Sequence, residues 1–166
     1  MPNITSRHAL AADLAAICAL HAAVFGPGRF ARSAYRVREG MPDVSPFCRV
    51  ALDGDRLIAA VRMTPITIGG RGAALLLGPL AVAPAYANQG HGRRLAAESM
   101  EAAKAAGVRL VVLIGDEPYY ARLGFVRVPP GQIQMPAPWN PARMLAAELE
   151  PGALARYAGV IAADAD

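Results

Sequence analysis

Apolar residues recur with helical spacing in the first part of the chain. In the alanine-rich stretch from His8 to Phe25, polar residues interrupt the larger apolar side chains. The residues that set the helical period are Leu10, Leu14, Ile17 and Val24. This pattern predicts an amphipathic core helix rather than a signal peptide, with a short strand containing Ile4 and Thr5 ahead of it.

Three strand-like segments follow, separated by tight turns. A Gly-Pro-Gly sequence ends the first helix, and a second short helix is expected from Phe30 to Arg38. The predicted strands run from Phe47 to Leu52, from Arg56 to Ile68 and from Ala73 to Val82. Because only short turns join them, they should form an antiparallel meander.

The pattern changes after residue 90. Strong helix formers from Gly92 to Ala106 predict a long helix, and the apolar run from Arg109 to Ile114 predicts a strand covered on both faces. Strand, helix and strand in so short a stretch form a βαβ unit, so its two strands should be parallel neighbours. We therefore expect an α/β (α+β) fold whose mixed sheet has an antiparallel N-terminal meander, a central parallel pair and flanking helices.

The C-terminal part gives weaker signals. A short helix is expected from Pro118 to Arg122 and a strand from Phe125 to Val128, but the proline-rich region after Pro129 predicts no clear element. The length of 166 residues fits a single domain. Within it we distinguish a core motif region, 73–128, and a C-terminal extension, 138–166, which could pack on its own domain or on a partner subunit, so a homodimer stays open.

Composition narrows the classes of function. Apolar residues make up 54% of the chain and charged residues 18%, which is typical of a folded globule. No apolar run approaches the ~20 residues needed to span a bilayer. The net charge is +4, but the basic residues are dispersed, so only the pI of about 9.5 favours nucleic-acid binding and we expect none.

Cysteine and histidine usage indicates neither a redox pair nor a metal site. Cys18 and Cys48 lie in apolar contexts without CxxC spacing, as buried free thiols of a cytoplasmic protein would, although a disulfide remains the alternative. The three histidines are scattered and lack metal-ligand spacing.

In two stretches, glycine and proline residues indicate a backbone that a ligand could approach. Gly78 and Pro79 interrupt a predicted strand, so they predict either a bulge that exposes the backbone of the residues up to Val82 or a simple edge irregularity. The loop from Gln89 to Arg94 opens directly into the long helix, and its two glycines let a ligand approach the backbone. The unpaired N–H groups and the helix dipole predict an anion site, although an ordinary glycine-rich turn would look similar.

Other phosphate-binding motifs do not fit this loop. Leu95 stands where a dinucleotide fingerprint needs its third glycine. Arg93 follows Gly92 where a P-loop needs lysine.

A third stretch, from Gly115 to Phe125, begins where the second parallel strand should end. Ligands bind beyond the carboxyl ends of such strands, and a tyrosine placed there can donate a proton. Tyr119 and Tyr120 are the candidates, with core packing as the alternative interpretation.

Together the three stretches resemble the GNAT family of acetyl-CoA-dependent N-acetyltransferases. The family's Gln/Arg-x-x-Gly-x-Gly/Ala loop is matched at both glycines, but Ala87 stands where the family has Gln or Arg. The family's Tyr-x-x-x-Gly-Phe motif is matched from Tyr120 to Phe125. The resemblance runs from about Val50 to Val128 and extends to bacterial predicted N-acetyltransferases with a Gly-Asp-x-x-Tyr-Tyr segment.

The resemblance implies transfer of an acetyl group from acetyl-CoA to a primary amine of a small molecule or a protein. It implies that the pantetheine arm pairs with Leu80, Ala81 and Val82. It implies a pyrophosphate cradle made of Gln89, Gly90, His91, Gly92, Arg93 and Arg94. Tyr120 corresponds to the family's general acid, with Tyr119 in reserve.

The general base and the acceptor site stay open. Asp116 lies near the expected cleft, but it also suits the N-cap of the following short helix. Arg29 and Arg32 would suit an acidic acceptor or a solvated helix face. Ala87 and the lack of an acid on the third strand of the meander motivate an alternative function, a non-catalytic acyl-CoA-binding module.

Overall fold

The structure, a computed structural model, describes residues 3–26, residue 37 and residues 44–164. These residues form nine strands and three α-helices, joined by short 3-10 turns. The strands are β1 (Ile4–His8), β2 (Arg49–Asp53), β3 (Arg56–Ile68), β4 (Arg71–Val82), β5 (Leu110–Ile114), β6 (Val126–Arg127), β7 (Ile133–Gln134), β8 (Met144–Glu148) and β9 (Gly159–Ala163). The helices are α1 (Leu14–Phe25), α2 (His91–Ala105) and α3 (Glu117–Tyr120).

The strands form the mixed sheet that the sequence predicts. Its order is β1-β2-β3-β4-β5-β8-β6, with β9 beside the end of β3 and β7 beside β9. The first four strands pair antiparallel, and β4 and β5 form the central parallel pair. The predicted βαβ unit is therefore confirmed as β4, α2 and β5.

Of the two alternatives that Gly78 and Pro79 left open, the structure shows a bulge in β4, opposite Arg62. Val61 pairs with Leu80 and Met63 pairs with Leu77, so two residues of β4 face one residue of β3. The parallel ladder to β5 covers only residues 74–76 of β4. Beyond it, β4 stays paired with β3 while β5 stays paired with β8, so the two central strands part at the bulge.

The core has a layer on each face of the sheet. On one face, α2 buries its apolar side against β3, β4 and β5 through Leu95, Ala96, Met100 and Ala103. On the other face, α1 contributes Leu20 to a cluster with Val50, Ala60 and Ala81. A third cluster on that face joins the sheet to the C-terminal residues through Tyr157 and Ile161.

The start of the first helix differs from the sequence prediction. Strand β1 continues to His8, and the α-helix begins only at Leu14. The reason is Asp13, whose carboxylate accepts a hydrogen bond from the backbone N–H of Leu10 at 2.7 Å and pairs with Arg7 at 2.7 Å. These contacts fix a turn between the strand and the helix.

Three residues expected in the core at this end are exposed. The relative solvent exposure is 54% for Leu10 and 37% for Val24, so neither side chain is part of the core. Cys18 is an exposed free thiol, whereas Cys48 is free and buried as expected. The predicted helix from Phe30 to Arg38 lies, apart from Val37, outside the described residues.

The C-terminal extension packs on its own domain. Strand β8 inserts between β5 and β6, and β9 pairs with β3. Tyr157 is fully buried, and its hydroxyl donates a hydrogen bond to the carbonyl of Gly72 at 2.6 Å. None of the helices described is both long and apolar enough to cross a membrane.

Replacing Ile161 with alanine tests whether β9 is an integral part of the core. Ile161 is fully buried, so Ile161→Ala should lower the free energy of unfolding by about 2–5 kcal/mol through lost burial and the cavity it leaves. Its neighbour Val160 is 48% exposed, and Val160→Ala should stay within about 0.5 kcal/mol of the wild type. Denaturant unfolding measures both, and equal effects would contradict the packing of β9.

Candidate active site

A cleft of about 380 Å³ opens beside the amino end of α2. It is bounded by the end of β4, the loop that leads into α2, and the residues around α3. The lining residues are Val82, Tyr86, Asn88, Gly90, His91, Gly92, Arg93, Pro118, Tyr119 and Arg122. The structure therefore brings residues of all three predicted stretches together around one cleft.

The loop before α2 has the backbone geometry of an anion nest. Gly90 adopts a positive φ of 86° as the residue before the helix, which glycine accommodates without strain. The first helical hydrogen bond runs from the N–H of Arg94 to the carbonyl of Gly90 at 3.0 Å. The N–H groups of His91, Gly92 and Arg93 precede that bond, so they have no partner within the helix and favour an anion at this end of the dipole.

Only part of the side-chain charge of this loop reaches the cleft. Arg93 and His91 line it. The side chain of Arg94 is directed to β1 instead, with Nη2 3.5 Å from the hydroxyl of Ser6 and Nε 3.7 Å from a carboxylate oxygen of Glu98. Arg94 thus faces away from the nest that the sequence assigned to it, because Glu98, one helical turn later, holds it outside.

Gln89 is not among the residues that line the cleft. Its side-chain oxygen lies 3.3 Å from Nε2 of His91, so the two side chains can share a hydrogen bond.

The three predicted residues of β4 divide between the two faces of the sheet. The side chains of Leu80 and Val82 lie toward α2, 3.6 Å and 3.3 Å from the point that a Cβ on Gly92 would occupy. Ala81 is buried on the opposite face. Because the ladder to β5 has already ended, no described strand pairs with the β5-facing backbone edge of these residues, and it can receive an extended ligand.

The two adjacent tyrosines reach different places. Tyr119 lines the cleft, and its hydroxyl lies 2.7 Å from the position that a Cβ on Gly92 would take. The ring of Tyr120 instead covers Gly115, directly after β5, and packs edge-on against Phe125 with ring centroids 5.7 Å apart. Tyr120 therefore lies at the carboxyl end of the parallel strand, and Tyr119 at the amino end of α2.

Sequence reasoning missed one wall of the cleft. Tyr86 lies on it, and its hydroxyl donates a hydrogen bond to Asp53 at 2.5 Å, which raises the pKa of the Tyr86 phenol. The guanidinium of Arg56 lies 5.6 Å from the ring centroid of Tyr86, and the ring of His91 lies edge-on at 6.2 Å. Asp53 and Arg56 come from the β2–β3 turn, so no local spacing could have linked them to Tyr86.

A second missed residue is Arg122, which lines the cleft together with Arg93. Its position two residues after Tyr120, inside the Tyr-x-x-x-Gly-Phe motif, was a usable signal. Two arginines in one cleft make it suitable for a ligand with more than one negative charge.

Asp116 does not act as the expected side-chain cap. It occupies the N-cap position of α3, but its carboxylate makes no capping hydrogen bond and is exposed. No carboxylate is found among the described residues that line the cleft. Arg29 and Arg32, the candidate acceptor residues, lie outside the described part of the chain.

Comparison with known families and structures identifies a family model and several solved structures that match this chain. The family model for the acetyltransferase (GNAT) domain matches residues 5–128. No curated protein matches the chain. Several solved structures do match it.

The GNAT family N-acetyltransferase YhbS from Escherichia coli, crystallised with CoA, is 24% identical and superposes with a TM-score of 0.83 over 99% of this chain and 91% of its own. A GNAT family acetyltransferase from Brucella melitensis in complex with acetyl-CoA is also 24% identical, with a TM-score of 0.74 over 99% and 98% of the two chains. The ribosomal-protein-S18-alanine N-acetyltransferase from E. coli is 16% identical, with a TM-score of 0.61 over 88% and 94%. At these identities the likeness shows a shared fold.

Two adjacent arginines make a matched test of the cleft. Arg93→Ala removes a cation that lines it, so the Kd for acetyl-CoA, the ligand that the resemblance implies, should rise about 10-fold or more. Arg94→Ala removes a cation held by Glu98, so the Kd should stay within about two-fold. Isothermal titration calorimetry measures both values. A larger rise in the Kd for Arg94→Ala than for Arg93→Ala would contradict these side-chain positions.

Proposed function

The chain belongs to the GNAT acetyltransferase family, and from that premise we propose that it transfers the acetyl group of acetyl-CoA to a primary amine of a small molecule or a protein. The single observation that carries this proposal is the cleft at the start of α2, next to the end of β4, which no longer pairs with β5 there. One end of it is an anion nest, and a tyrosine lies over the end of β5.

The chemistry of the cleft suits coenzyme A. A diphosphate needs several hydrogen-bond donors and positive charge, which the free N–H groups at the start of α2, Arg93 and Arg122 supply. The pantetheine arm carries amide groups, which can pair with the open edge of β4 from Leu80 to Val82 as an added strand would. The E. coli and Brucella proteins of the same fold bind CoA and acetyl-CoA, which supports the assignment.

In the proposed reaction, the thioester lies where β4 and β5 part. The neutral amine nitrogen attacks the carbonyl carbon, a C–N bond forms, and the tetrahedral intermediate then breaks its C–S bond. The sulfur leaves with the electron pair and takes a proton from the hydroxyl of Tyr120, which regains one from solvent. The extra proton on the amine nitrogen passes to water.

The proton transfer is energetically accessible. In water a thiol has a pKa of about 8.5 and a phenol of about 10, so complete transfer from a phenol to a thiolate is uphill by about 2 kcal/mol. A hydrogen bond to the developing thiolate stabilises the transition state without complete transfer. A positioned acid of this kind contributes about 10²- to 10⁴-fold in rate.

The lack of a carboxylate among the described lining residues also favours a second candidate, a module that binds acyl-CoA without turnover. The two functions differ in one measurable step, the release of coenzyme A thiol. We expect release from acetyl-CoA in the presence of at least one amine of a panel that includes polyamines, amino sugars and peptides with free N-termini. Tight binding of acetyl-CoA with no release above the amine-free rate across the panel would favour the second function.

Tyr120→Phe tests the proposed acid. The variant keeps the ring that packs on Phe125 and removes only the hydroxyl, so we expect kcat to fall about 100-fold or more while the Kd for acetyl-CoA changes less than about two-fold. Steady-state thiol release and calorimetry give the two constants. An unchanged kcat would remove Tyr120 from the reaction.

A further inference from the structure

Tyr119 occupies the part of the cleft where an anion would bind. Its hydroxyl lies beside Gly92, whose N–H is one of those left without a helical partner at the start of α2. The phenol is also close enough to Arg93 for the positive charge of the guanidinium to act on it. The hydroxyl therefore belongs to the same small region as the nest and one of its cations.

Tyr119 is placed there by its neighbour. The rings of Tyr119 and Tyr120 pack edge-on with centroids 4.8 Å apart and an angle of 79° between their planes. Since Tyr120 is fixed against Gly115 and Phe125, the ring of Tyr119 is turned toward α2. The relative solvent exposure of Tyr119 is 39%, so a ligand in the cleft can reach it.

Gly92 has no side chain, and this leaves room for the hydroxyl of Tyr119. The family loop accepts glycine or alanine at this position, but here a Cβ would lie 2.7 Å from the hydroxyl of Tyr119 and 3.3 Å from a methyl group of Val82. The contact at 2.7 Å is closer than unbonded atoms allow, so an alanine would force the phenol to move. Gly92 and Tyr119 are thus sterically coupled.

We propose that Tyr119 is a coenzyme-binding residue whose hydroxyl donates a hydrogen bond to the diphosphate of acetyl-CoA, beside the N–H groups of α2. This inference rests on the proposed function, and it separates the roles of the two tyrosines. Tyr119 holds the diphosphate, and Tyr120 serves the thioester. Burial raises the pKa of the Tyr119 phenol despite the opposing charge of Arg93, so the hydroxyl keeps its proton at neutral pH and can act as the donor.

The experiment compares Tyr119→Phe with the wild type on two acetyl donors, acetyl-CoA and S-acetyl-pantetheine, which has the same thioester and arm but no phosphate. We expect the KM and Kd for acetyl-CoA to rise about 10-fold with kcat within about two-fold, and kcat/KM for S-acetyl-pantetheine to be unchanged. Tyr120→Phe is the matched comparison, because it should lower kcat with both donors and leave the Kd for acetyl-CoA unchanged.

The other outcomes distinguish a wrong role for Tyr119 from a wrong proposed function. Suppose that the wild type binds acetyl-CoA and that Tyr119→Phe has the same Kd, or that kcat/KM of the variant falls equally with both donors. Either result overturns the assignment of Tyr119 to the diphosphate, while the proposed function stands. If the wild type does not bind acetyl-CoA, the proposed function and this inference are both overturned.

A double-mutant cycle with Gly92→Ala provides a second test that does not depend on turnover. Removing the hydroxyl relieves the close contact with the new methyl group, so Gly92→Ala should lower the melting temperature less in the Tyr119→Phe background than in the wild type. Equal losses in the two backgrounds would contradict the position of the hydroxyl against Gly92.

Discussion

The pairing between β4 and β5 ends after three residues, and the candidate site follows from where it ends. A bulge at Gly78 and Pro79 shifts the register of β4 against β3, and from there β4 has no partner on its other side among the described strands. A continuous parallel ladder would satisfy the edge of β4 internally. The interruption leaves backbone groups free for a ligand and places the end of β5, covered by Tyr120, beside the opening.

In the proposed complex, the diphosphate is recognised mainly by the main chain. Ala87 stands where the family carries Gln or Arg, Gln89 is paired with His91, and Arg94 is held by Glu98. Position 87 therefore offers no polar side chain, and Arg94 is held outside the cleft. What remains is the amino end of α2 with Arg93, and the opposite wall contributes Tyr119 and Arg122.

Features set by neighbours in sequence could be predicted, and features set by the tertiary fold could not. The bounds of β3 and the position of α2 follow from turn residues and helix propensity, and the bulge follows from Gly78-Pro79. The insertion of β8 beside β5 was invisible, because a five-residue apolar strand after a proline-rich stretch carries no signal of its partner. Leu10 fits the helical period and is nevertheless exposed, because the carboxylate of Asp13 holds its backbone in a turn. The orientation of Arg94 toward Ser6 and that of Tyr119 toward Gly92 depend on contacts between residues that lie far apart in sequence.

The most direct test of the central claim is a crystal structure of the protein with CoA. We predict diphosphate oxygens within hydrogen-bonding distance, about 2.7–3.2 Å, of the N–H groups of His91, Gly92 and Arg93. We also expect the pantetheine amides to pair with the backbone of Leu80 to Val82, and the sulfur to lie beside Tyr120. A coenzyme whose diphosphate lies away from the amino end of α2, or whose arm does not run along the edge of β4, would contradict it.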